Sequence, residues 1–185
     1  MRAALLTVLF AVASLAGAVA PARGSDTPPV TARSIKAAFL YKFAGYVEWP
    51  DAADSDRIPL TIGVLGSGEM AEELARITAG RLVNERPVRV KRIADGDSLA
   101  GLQILYVGAA DAQGLVDSVS PARGLPILVV TDSPGALATG SIINFTFEHD
   151  RVRFEVSLPA AEQSRLRLSS RLLAVAQRVQ RTTGT

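Results

Sequence analysis

Between Ala32 and Glu48 the apolar positions recur with helical spacing. Ile35, Phe39, Phe43 and Tyr46 fall at i, i+4, i+8 and i+11, with Leu40 and Val47 beside them. This spacing predicts a helix that buries three aromatic rings, opened by Thr31 or Ser34 as cap and ended by Trp49-Pro50. The stretch "LTIGVLGSGEMAEELARITAG" from Leu60 reads as an apolar strand, a Gly-rich turn and an amphipathic helix. "RPVRVKRI" alternates around Val88 and Val90, as a half-buried strand does. "LQILYVG" is a continuous apolar strand, followed by a short helix through "DAQGLVDSV". "LPILVVTDSPG" is another such strand ending in a turn. Continuous apolar strands alternating with helices predict an α/β fold with a mostly parallel sheet.

Further along, the period changes to two. "SIINFTFE" and "RVRFEVS" flank His149-Asp150, and a hairpin there sets Phe145 opposite Phe154 and Phe147 opposite Val152. The other face pairs Thr146 with Arg153 and Asn144 with Glu155, so one side is apolar and the other polar. "LPAAEQSRLRLSSRLLAVAQRVQRTT" then reads as a short helix, a break at "LSS" and a terminal amphipathic helix capped by Ser169 or Ser170. The expected fold is thus a single α/β domain: a mostly parallel central sheet flanked by helices, with a C-terminal antiparallel hairpin and a terminal helix.

The chain has 185 residues, 48% of them hydrophobic, which suits one domain over residues 32–181. Ahead of it, "MRAALLTVLFAVASLAGAVAPARGSD" carries a minimal basic start, an apolar run and small residues, and reads as a secretory signal peptide. We place that segment at 1–22, a polar, proline-containing linker at 23–31, and a tail at 182–185. The export signal makes the periplasm the expected compartment. With no Cys, thiol catalysis and thiolate metal sites are excluded in a compartment that would allow disulfides. Net charge is +2 and the two signs are mixed, so the clustered charge that nucleic-acid binding needs is missing.

Candidate chemistry is sparse. Gly66 and Gly68 in "GVLGSGEM" sit between a strand and a helix, where backbone N–H groups could meet a small anionic ligand or simply make a turn. The spacing matches neither standard nucleotide fingerprint. Ser67 is not in a nucleophile elbow, Ser133 lies in turn chemistry, and Glu69, Glu72 and Glu73 belong to a helix surface. His149 is the only histidine and falls at the hairpin tip, so no histidine-based metal site is expected. No catalytic residue, metal ligand or cofactor site emerges, and enzymatic activity is not expected. Arg171 is a cation in a helical first turn, against the macrodipole, which a bound anion or partner carboxylate would relieve; a solvated or internally paired guanidinium is the plainer account. "AAFLYKFAGYVEWP", residues 37–50, holds half of the ten aromatic residues. Of these Tyr41 and Trp49 lie off the predicted apolar stripe, near Glu48, a composition typical of interface hot spots.

That segment resembles the opening signature of the YfiR-like periplasmic regulators. "ILYVG" at 104–108, "IINF" at 142–145, "VRFEVSLPAA" at 152–161 and "LSSRLLAVA" at 168–176 follow in the family's order and spacing. The matching positions are Phe39, Tyr41, Glu48, Trp49, Pro50, Asn144, Phe145, Arg153, Phe154, Glu155, Ser169, Ser170, Arg171 and Leu172. The resemblance implies an exported, non-catalytic regulator, homodimeric in its relatives. It would hold inactive the periplasmic domain of an inner-membrane diguanylate cyclase, or act on a sensor kinase, and so influence cyclic di-GMP and biofilm formation. Two departures stand out: the cysteine pairs of some members are absent here, and the loop "GALATGSIINF" carries Leu137 and one glycine, Gly140, before Ser141. A small-molecule ligand near Gly66, Gly68 or Arg171 would be compatible with that role.

Overall fold

The computed structural model describes residues 31–50, 58–108 and 112–181. The expected signal segment, the expected linker up to residue 30 and the tail at 182–185 lie outside the described residues.

Thr31 opens α1 (Ala32–Phe43), its hydroxyl accepting from Ser34 N–H. After β1 (Val47–Glu48) come β2 (Leu60–Leu65) and α2 (Gly68–Thr78), which Ser67 caps by accepting from Met70 N–H. β3 (Leu82–Val83) and β4 (Arg86–Ile93) follow as a tight hairpin, then β5 (Ile104–Val107), α3 (Ala112–Val119) and β6 (Leu128–Thr131). The second half holds β7 (Ile143–Glu148), β8 (Arg151–Ser157), α4 (Leu158–Gln163), β9 (Arg167–Leu168), α5 (Ser170–Val175) and β10 (Arg178–Gln180).

Eight strands form one sheet in the order β10-β8-β7-β6-β5-β2-β4-β3, while β1 and β9 make a separate antiparallel pair. Only β7–β8 and β3–β4 run antiparallel in the large sheet. From β2 the chain passes through α2 to β4 on one side, then returns to β5 on the other. The connections therefore diverge between β2 and β5, and their carboxyl ends part there to leave a crevice.

Helices α1, α2 and α5 cover one sheet face. There Leu40, Phe43, Leu74 and Leu172 pack on Ile62, Ile104, Val130 and Phe154. Phe39, Phe43, Phe145 and Phe154 form an aromatic knot, the Phe43 and Phe154 rings meeting edge to face at 5.0 Å. On the opposite face α3 brings Leu115 and Val119 onto Leu105, Val107 and Val129, with Leu102 filling the space above Gly63.

The β7–β8 hairpin has the register expected from alternation, including Phe145 opposite Phe154 and Asn144 opposite Glu155. Its turn residues His149 and Asp150 both take positive φ, 47° and 58°, which suits the right-handed twist of the flanking strands.

Two helix boundaries differ from expectation. The first helix stops at Phe43 rather than Glu48, and Val47–Glu48 leaves it to pair with Leu168–Arg167. Ser169 N–H also donates to the Tyr46 carbonyl. Gly45 is a poor helix residue, and this pairing satisfies the backbone that another helical turn would have satisfied. Tyr46 consequently turns outward, 36% exposed, instead of joining the core stripe. The terminal helix is also short. Ser169 caps it as expected, but it ends at Val175, and Arg178–Gln180 lies parallel to β8 as an edge strand.

Candidate functional site

Gly66 leaves β2 with φ +76°, a left-handed conformation that side chains other than glycine rarely adopt. Gly108 leaves β5 beside it and donates its N–H to the Leu65 carbonyl at 2.9 Å. A Cβ at Gly108 would stand 3.1 Å from the Gly66 carbonyl oxygen, so the two strand ends approach too closely for a side chain. Gly68 then starts α2. The crevice beyond these turns encloses about 290 Å³, and Arg33, Lys36, Tyr106 and Asp132 converge on it.

Lys36 is the unexpected member. It lies on the same helix face as Leu40 and Phe43, four and seven residues on, and is only 7% exposed. Its Nζ sits 2.5 Å from Asp132 Oδ2 and 4.6 Å from the centroid of the Phe147 ring. Tyr106 donates its hydroxyl to the same Oδ2 at 3.3 Å. Burial, reinforced by the Asp132 charge, pushes the Tyr106 phenol well above its ordinary range, so it stays a protonated donor. Arg33 forms an ion pair with Glu69 at the start of α2. The two cations of the crevice are thus matched by two carboxylates. Asp132 Oδ2 already accepts from both an ammonium and a phenol, an arrangement that binds and orients but is poorly placed to take a proton from a substrate.

Asp132 also borders a second, more apolar recess of about 370 Å³ lined by Pro134, Phe145 and Phe147, with Asn144 and Glu155 at its polar side. Asn144 is almost wholly buried. Its Oδ1 accepts from Thr131 and from Ser133 N–H, and its Nδ2 donates to Glu155 at 3.2 Å. Glu155 accepts in turn from the Arg178 guanidinium, which ties β10 to β8.

The aromatic candidates are only half-exposed. Tyr41 donates its hydroxyl to the Leu82 carbonyl at 3.0 Å, and the Arg81 guanidinium lies 5.7 Å from its ring centroid. Trp49 packs its ring on the main core and donates Nε1–H to the Gln103 carbonyl at 3.3 Å. Glu48 stands in solvent 3.8 Å from Arg167 across the β1–β9 pair. These contacts carry Tyr41 to β3, Trp49 to the start of β5 and Glu48 to β9. Arg171 is exposed on α5 and does not line the crevice that holds Gly66. Lys36 and Asp132 carry no motif, and "ILYVG" marks Tyr106 only as part of a strand. The one legible signal was a lysine on the apolar stripe of α1, which demands a buried counter-charge.

Among the described residues no group of three or more His, Cys, Asp or Glu is arranged to hold a metal ion. No helix among them is long and apolar enough to cross a membrane.

Fold and site together define an open-sheet α/β domain with a crevice at its topological switch point and internally neutralised charges. The chain belongs to the YfiR/HmsC-like family, whose model matches residues 33–177, from the first turn of α1 to the residue before β10. A search of curated proteins returned no match.

Proposed function

We propose that the protein is a periplasmic, non-catalytic regulator. In this reading it binds and represses the periplasmic sensor domain of an inner-membrane diguanylate cyclase, and so lowers cyclic di-GMP and restrains biofilm formation. The observation that carries this reading is the YfiR/HmsC-like match across essentially the whole described domain. Repression requires that the protein bind the inactive conformation of its partner more tightly than the active one, since equal affinity for both shifts nothing. Tyr41, Glu48 and Trp49 are the proposed contact residues, and the protein acts as a homodimer. Glu48 is the cleanest of the three to test, because its carboxylate stands in solvent and its only ion pair among the described residues spans 3.8 Å. Deletion of the gene raises cellular cyclic di-GMP, and Glu48→Lys reproduces that rise with the melting temperature unchanged. An unchanged cyclic di-GMP level across growth conditions after deletion defeats the proposal.

A second reading has its own support in the crevice of about 290 Å³ between the ends of β2 and β5. In it the protein is a small-molecule sensor that acts on a sensor kinase or other membrane partner, with its ligand at Gly66 and Gly68 or near Arg171. A thermal-shift screen of nucleotides and aromatic amino acids tests it. Stabilisation that is lost on substituting Gly108, whose backbone forms the crevice floor, supports it; no stabilisation by any compound removes it.

A further inference from the structure

The sheet edge formed by β4 is open along most of its length among the described residues. β3 pairs only with Arg86 and Pro87, which leaves the outer side of Val88–Ile93 without a neighbouring strand. A strand edge of this kind presents backbone N–H and C=O groups ready to pair with another extended segment. The adjoining surface is not flat. A groove of about 500 Å³ runs along this edge, floored by Ala75 of α2 and by Ala79 just past its end, and walled by Leu82, Val88 and Val90. Leu82 is 57% exposed beside it.

The two faces of β4 differ in chemistry. Val88 and Val90 face α2 and pack partly on the main core, and Arg92 on the same face pairs with Glu72 of α2. Arg89 and Lys91 therefore project from the opposite face. Both are exposed, and neither has an ion-pair partner among the described residues. An added strand would place alternate side chains in the groove above Val88 and Val90. The intervening ones would stand across from Arg89 and Lys91, where opposite charges attract and like charges repel.

We propose that the open edge of β4 accepts an extended segment of a partner protein in which apolar and acidic residues alternate. The segment adds a strand to the sheet by main-chain pairing. Its apolar side chains fill the groove, and its carboxylates pair with Arg89 and Lys91. A second copy of this chain is a poor occupant, because self-pairing of β4 would bring Arg89 and Lys91 of both copies together. This inference goes beyond the regulatory role proposed above and holds whatever signalling protein supplies the segment.

The test uses an acetylated, amidated hexapeptide of alternating valine and glutamate, fluorescein-labelled and kept at concentrations where it is monomeric. Controls are the same peptide with lysine in place of glutamate, and a scrambled peptide of the original composition. The acidic peptide binds saturably and slows amide exchange at residues 88–93. Arg89→Glu combined with Lys91→Glu weakens it by about tenfold or more, as reversal of two cross-strand charge pairs should. The lysine peptide prefers that reversed variant. Arg89→Ser with Lys91→Ser gives an intermediate loss, and the melting temperatures of both variants show that the fold is intact. Absence of saturable binding up to about 1 mM overturns the proposal. So does protection confined to another part of the sheet, binding indifferent to charge reversal, or equal binding of the scrambled peptide. Sedimentation showing a dimer, together with concentration-dependent amide protection at residues 88–93, would make a second copy the occupant and overturn it equally.

Discussion

Removing the Asp132 carboxylate should destabilise the domain more than its modest position at a strand end suggests. Lys36 extends from α1 into the space between Asp132, Phe145 and Phe147, and its side chain is only 9% exposed. Asp132→Ala leaves that ammonium between two aromatic rings without a counter-charge and leaves the Tyr106 hydroxyl without its acceptor. Breaking a fully buried pair from one side costs about 3–5 kcal/mol. Asp132 is 20% exposed, so water enters the gap and the expected loss falls to about 2–4 kcal/mol. Lys36→Met keeps the apolar stem and removes the charge. Asp132 then retains the Tyr106 hydroxyl and some solvent, so the expected loss is only about 1 kcal/mol. The double variant should resemble Lys36→Met, because with no ammonium there is no stranded charge. The cycle therefore yields a coupling of about 2–4 kcal/mol, the whole of the Asp132→Ala loss. Urea unfolding followed by circular dichroism measures it; with a slope of about 2 kcal/mol per molar, Asp132→Ala moves the midpoint by about 1–2 M. Single-variant losses that simply add, within about 0.5 kcal/mol, would mean that Lys36 and Asp132 do not depend on each other. The crevice would then not be held together as described.

Phe43→Ala removes a buried ring of the aromatic knot and should cost about 3–5 kcal/mol, with half-buried Phe39→Ala costing less, as thermal melts will show. Gly108→Ala forces a methyl to within 3.1 Å of the Gly66 carbonyl, and denaturation should register a loss of about 1–3 kcal/mol. Arg178→Ala strips Glu155 of its charged partner; amide exchange at residues 178–180 should rise sharply while that of β7 stays slow. Glu73 is held at about 2, chiefly by hydrogen bonds from Arg76 and then Ser34, against an ordinary 4.5. A depressed carboxyl stabilises the fold above its unfolded value, and that contribution is lost as pH falls from 4.5 through 2. Glu73→Gln should therefore flatten the acid limb of the stability curve over that window and leave a smaller difference below it.

Some of this architecture was legible because its causes are local. The β7–β8 register follows from alternation around a two-residue turn, where a slip of one position would expose Phe145 and Phe154. Thr31 and Ser169 cap the helices that their positions announce. The central parallel strands β2, β5 and β6 were readable as continuous apolar runs, because both sheet faces are covered there. The candidate site was harder. Tyr41 and Trp49 were read as outward aromatics, and the structure gives each a main-chain acceptor and partial burial. Those acceptors, at Leu82 and Gln103, lie 41 and 54 residues away along the chain.

Residue pattern alone settled the class of fold, the exposed and buried sides of most elements, and the lack of thiol chemistry, since each depends on periodicity within a few turns or on composition. Three things were decided only when distant segments met. Val47–Glu48 became a strand because Arg167–Leu168 was there to receive it. Arg178–Gln180 left the helical pattern because the edge of β8 and Glu155 offered backbone and charge partners. Lys36 could be buried because folding delivered Asp132 to it from 96 residues away. Hydrogen bonds and charges left unpaired in an apolar interior cost more than a helix propensity difference, so tertiary partners overrode the local preference at each of these places.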